Sequence, residues 1–165
     1  MSKISKIIAL IAVISLAFGM TTVSYVVAGE KVKGRIAKHT TRWEQIEVGD
    51  EEGHVVGIYQ AKGINSRTDG KTFVSWECGL LDMNLKTGLG SGTGHGVTTD
   101  RNGDKMYWTW KGKTVKPGIW EGTLAYVKGT GKYEGIKGKG TYTNYTIAPR
   151  QNYADFEMEE ELPSR

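Results

Sequence analysis

The chain has 165 residues, with 22 Lys and Arg against 18 Asp and Glu and a formal net charge of +4. Its lysines are spread through turn-like stretches and form no cluster with arginine, which excludes a basic patch for nucleic acid. Cys78 is the single cysteine, which excludes an internal disulfide, so stability must come from core packing and ladder hydrogen bonds.

Lys3 and Lys6 precede an almost unbroken apolar run from Ile7 to Met20. Val26 and Ala28 then supply the small or aliphatic positions of a signal-peptidase site. The expectation is a signal peptide over 1–28, cleaved after Ala28, and a single domain over 29–165. The run falls short of the roughly 20 residues that span a bilayer, so no stable membrane anchor is expected after cleavage. The expected address is exported, periplasmic or secreted.

Residues 29 to 50 begin charged and become extended around Arg35 to Val48, with a short helical turn near Glu44–Glu47 as the alternative. His54 to Ile64 alternates as a strand. Asp69-Gly70 suits a turn with positive φ. Thr72 to Leu85 is the most apolar stretch outside the leader. Val74, Trp76, Cys78 and Leu80 share one face, with Ser75 and Glu77 on the other. The apolar parity then moves to Leu81, Met83 and Leu85, which predicts a bulge at or near Gly79. In this setting Cys78 reads as a small buried apolar residue.

Gly88, Gly90, Gly92, Gly94 and Gly96 fall on every second position. As a strand, this segment has one face without side chains. Such a face either packs tightly under large neighbours, the tryptophans above all, or leaves room for a ligand. Asn102-Gly103 marks a hairpin. Asp100, Asn102 and Asp104 have the spacing of a calcium loop, but Lys111 stands where its bidentate Glu belongs, so the hairpin is preferred and no metal is assigned. Lys105 to Lys111 alternates, with Met106, Trp108 and Trp110 on the face expected to point inward.

Residues 118 to 145 are the most informative stretch. An aromatic run from Ile119 to Val127, with Trp120, Leu124 and Tyr126 on one face, leads into Gly-Thr-Gly-Lys-Tyr-Glu-Gly-Ile-Lys-Gly at 129–138 and a second run from Gly140 to Tyr145. Gly129, Gly131, Gly135, Gly138 and Gly140 are too many for a helix interior, so the reading is strand, tight connection, strand. This connection resembles the G-S/T-G-x-F/Y-x-G-x-x-G segment of the allene oxide cyclase and dirigent barrels, small exported bacterial members included. The resemblance implies an all-β fold, a closed antiparallel barrel of about eight strands. The shared glycines are structural, so the resemblance carries over no catalytic residue.

Tyr153 to Leu162 reads as a last strand. Phe156 and Met158 lie on one face; Asp155, Glu157, Glu159 and Glu161 lie on the other, as a solvated edge that discourages wrong pairing. His39, His54 and His95 have no ligand spacing, so neither a metal nor a cofactor is expected. Trp76, Met106, Trp108, Trp110, Trp120 and Tyr126 either fill a core or line a pocket for a small apolar or aromatic molecule. Glu77, Asp82 and His95 are the candidate catalytic groups. Three functions follow: a ligand-binding barrel, a cyclase or isomerase acting in its cavity, or an interaction module. The last would form a homo-oligomer through the outer face of Ile119–Val127.

Overall fold

A computed structural model describes residues 29–163; the expected signal peptide lies outside them. Eight strands follow one another: β1 (Glu30–Glu47), β2 (His54–Arg67), β3 (Thr72–Asn84), β4 (Leu89–Thr99), β5 (Lys105–Lys116), β6 (Ile119–Gly129), β7 (Lys137–Ala148) and β8 (Gln151–Glu161). One 3-10 turn, Gly131–Tyr133, stands between β6 and β7. Every strand pairs antiparallel with its sequence neighbour, and β8 pairs back onto β1, closing the barrel. The alternation of apolar and polar residues with period two makes this closure favourable: each strand has one face for a core. The stretch near Glu44–Glu47 is strand, not helix, and pairs with β2 in register.

The seam explains the acidic face of β8. It is not an edge. Lys31, Lys33 and Arg35 of β1 are the register partners of Glu159, Glu157 and Asp155. Lys33 Nζ stands 2.9 Å from Glu157 Oε2, and Arg35 donates to both oxygens of Asp155 at 2.6 and 2.8 Å. On the other side, Lys137 and Lys139 of β7 face Glu161 and Glu159. Opposite charges placed directly across a strand pair favour this register over a slipped one.

The glycine-rich connection closes one end of the barrel. Gly131 and Gly135 turn the chain with φ of +55° and +77°, a region costly for other residues. The turn drives Tyr133 and Ile136 under the barrel, where they pack with Phe73 and Met106. Above this plug, Arg67 and Glu160 form an ion pair at 3.1 Å, with side chains 3% and 6% exposed, and Tyr126 donates to Glu160 at 3.3 Å. Other buried residues, from Val32 and Ile36 through Trp108, Trp110, Tyr142 and Phe156, form a second cluster on the inner faces of the strands.

No bulge occurs near Gly79: β3 runs in unbroken register with β2 and with β4. The inward set is Phe73, Ser75, Glu77, Gly79, Leu81 and Met83 throughout. Two polar residues in this inner row, and apolar ones opposite them on the outer row, imitate a change of phase. Trp76 and Cys78 are therefore on the outer face, half-buried, and Val74 and Leu80 are exposed. With Ile58 and Ile64 of β2 they form a longer exposed apolar stripe than the outer face of β6, where Val127 is the one exposed large apolar residue among those described.

Candidate functional site

The tryptophans of β5 and the glycines of β4 fit one another. Trp108 lies against Gly96 and Trp110 against Gly94, Gly92 and Gly79; a Cβ at Gly94 would stand 2.5 Å from the indole Nε1 of Trp110. The bare face of Gly92, Gly94 and Gly96 is thus covered by indole rings, which lie against the wall and leave the middle of the barrel unfilled. A cavity of about 410 Å³ remains. Its lining reaches Leu85, Arg150 and Gln151, so it opens at the end carrying the β1–β2, β3–β4, β5–β6 and β7–β8 turns, opposite the plug.

Trp108, Trp110, Trp120 and Leu124 line this cavity, as does Trp43, which the sequence reading did not single out. Met106 is fully buried in the plug cluster instead, and Tyr126 bridges the two clusters without lining the cavity. Trp76 points away from it.

Of the three candidate catalytic groups, the fold brings Glu77 alone into the cavity. Its Oε1 accepts from Lys38 Nζ at 2.8 Å and from Tyr59 OH at 2.9 Å. The side chains of Lys38 and Glu77 are 12% and 5% exposed, so this pair is desolvated. Lys38 reaches Glu77 across Ala61 and Gly63 of β2. A Cβ on Gly63 would lie 3.1 Å from Lys38 Cγ. Burial, and then the neighbouring carboxylate of Glu77, push the Tyr59 hydroxyl well above its usual range, so it stays a hydrogen-bond donor. Burial and the same carboxylate also raise Tyr142. Neither Lys38 nor Tyr59 was visible as a site residue, because a lysine among charged residues of an amphipathic strand reads as surface.

Asp82 and His95 are on the outside. Asp82 meets a different histidine. His54 Nε2 is 2.9 Å from Asp82 Oδ1, and Nδ1 is 2.6 Å from Asp50 Oδ1, which ties the β1–β2 turn to β3 at the rim. The hydrogen bond to Asp82, followed by that to Asp50, raises the His54 pKa; the hydrogen bond from His54 holds Asp50 below its ordinary value. A raised histidine stabilises the fold fully below its unfolded pKa, about 6.5, and loses that contribution as pH rises through the folded value. A depressed Asp50 works in the other direction, losing its contribution as pH falls through its folded value. Asp82→Asn is therefore expected to lower the NMR titration midpoint of His54 and flatten the pH dependence of stability above pH 6.5. An unchanged midpoint would show that the rim contact is not formed in solution.

The expected hairpin at Asn102-Gly103 is present. Asp100 accepts from the backbone N–H groups of Asn102 and Asp104 at 2.8 and 3.0 Å, and the ammonium of Lys132 sits on its other oxygen.

No protein-family model matches the sequence, and no curated protein is similar to it. Among solved structures, the barrel is similar to that of a pterocarpan synthase dirigent protein: TM-score 0.50 and 12% identity, covering 88% of this chain and 99% of that one. A pyocyanin demethylase matches more distantly, with TM-score 0.42 and 16% identity over 78% of this chain and 99% of that one. The first likeness supports a dirigent-like barrel fold, and the fold alone.

Proposed function

We propose that this chain is an exported barrel that binds a small apolar or aromatic molecule inside its open end. The observation that carries this reading is the 410 Å³ cavity, walled by tryptophan and leucine and furnished with a few buried polar groups. Ligand sites are mostly apolar with a small number of placed polar side chains, and this volume lies within their usual range of roughly 300–1,000 Å³. A dirigent-like barrel is compatible with such use.

A second reading rests on Lys38, Glu77 and Tyr59. A buried carboxylate beside an ammonium and a protonated phenol is equipped to hold or move a proton, so the same cavity suits a cyclase or isomerase. In that case Glu77 would act directly on the bound molecule, and Tyr59 would position it.

Native mass spectrometry of the protein purified gently from its own envelope fraction tests the first reading. The expected spectrum shows a reproducible extra mass that is released on denaturation, on a polypeptide whose mass corresponds to cleavage after Ala28. An unliganded protein whose tryptophan emission also ignores a panel of small aromatics would end it. Returning the released molecule to fresh protein separates the second reading: recovery unchanged supports binding, and conversion supports catalysis.

A further inference from the structure

Four turns border the open end, and they differ in chemistry. Three of them, at 85–89, 113–119 and 146–151, contain no Asp or Glu. They expose Leu85, Leu89, Val115 and Ile147, together with Pro117 and Pro149. The fourth, at 46–53, also exposes Ile46 and Val48, but it carries Glu47, Asp50, Glu51 and Glu52. At the plugged end, the turns at 68–71 and 100–104 hold Asp69, Asp100 and Asp104 and no large apolar residue.

The three acid-free turns touch one another. A Cβ on Gly88 would stand 3.3 Å from Cβ of Pro117. Thr146 donates its backbone N–H to the carbonyl of Gly118 at 2.8 Å. They form one lip, continuous with the cavity, because Leu85 and Arg150 belong to both. Single exposed aliphatics are ordinary on a protein surface, whereas a contiguous set at a cavity mouth marks a contact surface.

The cations of the lip are unequally committed. Lys86 turns aside to pair with Glu52 of the fourth turn, and Lys113 faces Glu121 in register. Lys116 and Arg150 form no ion pair among the described residues. Arg150 also holds a φ of +62°, where glycine or asparagine is the usual residue. Its carbonyl accepts from the Thr40 N–H at 2.8 Å, which fixes this turn on β1. An arginine thus stands at the mouth in a backbone conformation that disfavours it, with no acidic partner in the chain.

We propose that this lip docks on an anionic phospholipid bilayer. The aliphatic side chains and prolines enter the interface, and Lys116 and Arg150 meet the lipid phosphates, the composition of an interfacial anchor. The acidic fourth turn is tipped away from the surface, so the barrel sits tilted. A second copy placed lip to lip would set these cations against their own kind. Added to the ligand-binding reading, docking lets an apolar occupant pass between bilayer and cavity without crossing water; the docking itself does not rest on that reading.

Flotation of the purified protein with vesicles at low salt tests this. Vesicles of phosphatidylcholine with about 30% phosphatidylglycerol are expected to carry at least about tenfold more protein than phosphatidylcholine alone. Lys116→Gln/Arg150→Gln is expected to lower that binding about 25-fold, at about fivefold for each basic residue. Val115→Ser/Ile147→Ser is expected to lower it at least about tenfold. Arg101→Gln/Lys105→Gln removes the same charge at the plugged end and is expected to stay within about twofold. All six positions are exposed, and circular dichroism checks that each variant is folded. Equal binding to the two kinds of vesicle overturns the proposal. So does an equal loss in the plugged-end variant, which would be an effect of net charge. Binding that survives the lip substitutions, as binding through residues 1–28 would, also overturns it. A lipid-free dimer in sedimentation velocity that Val115→Ser/Ile147→Ser dissociates would place a second copy on the lip and end the membrane assignment. Each of these failures leaves the cavity reading intact, since the bound mass is measured separately by native mass spectrometry.

Discussion

Lys38→Met is expected to destabilise the protein by about 3–5 kcal/mol, read as a lower urea midpoint at unchanged slope. The pair it breaks is buried, with side chains 12% and 5% exposed. Removing the ammonium leaves a carboxylate inside the barrel with a single phenol as donor. The attraction lost is only part of the cost; the larger part is the desolvation penalty of the charge left behind. Replacing both partners, as Lys38→Met/Glu77→Leu, removes that penalty and is expected to recover most of the loss, minus the hydrogen bond that Tyr59 gives up. By contrast, Arg35→Gln breaks an exposed pair with Asp155 that is shorter and bidentate, and is expected to change stability little. A cost below about 1 kcal/mol for Lys38→Met would mean that water reaches Glu77 freely and that the pair is not desolvated in solution.

Gly94→Val is expected to cost about 3 kcal/mol or more, at or beyond the upper end of overpacking effects. The position has no free space. A Cβ there would stand 2.1 Å from the carbonyl oxygen of Cys78 and 2.5 Å from Nε1 of Trp110. The oxygen belongs to the β3–β4 ladder and cannot retreat without breaking it. The indole is the other obstacle, and it can move only into the cavity. Surviving folded protein should therefore show altered tryptophan emission and lose aromatic ligands from the site. Ser91→Val, on the outward face of the same strand, is the control and is expected to stay within about 0.5 kcal/mol. If both substitutions behave alike in denaturation, the glycine face is not packed under the indoles.

The inward faces of β5, β6 and β8 were legible because one parity holds the largest apolar side chains, while the other is acidic in β8, polar in β5 and mixed in β6. Trp108, Trp110, Trp120 and Phe156 all point as their alternation requires. β3 was read in the wrong phase for the opposite reason. Its inner row contains Ser75 and Glu77, and its outer row contains Val74, Trp76 and Leu80. The inner polar residues are tolerable only because partners from distant strands satisfy them: Thr98 stands 3.3 Å from Ser75, and Lys38 and Tyr59 bind Glu77. Those partners lie 18 to 39 residues away in sequence, beyond the reach of any local pattern. The same holds for the acidic face of β8, which looks like an edge until β1 closes on it with Lys31, Lys33 and Arg35.

The sequence by itself determined the class of fold. Period-two alternation points to strands and Asn-Gly and Asp-Gly to turns, which gives an all-β chain; closure into a barrel was implied only by the resemblance of the glycine-rich connection. It also marked β4 as a strand with one bare face, to be covered by large neighbours or left open for a ligand. Tertiary structure alone decided which neighbours came, how closely they lie against the glycines, and therefore that a cavity remains. It also decided that a lysine from β1 and a glutamate from β3 meet inside, across the small side of β2. The physical reason is the range of the interactions. Backbone preference and alternation act between adjacent residues and are written locally, whereas desolvated charges and packed rings depend on what the closed barrel places opposite them.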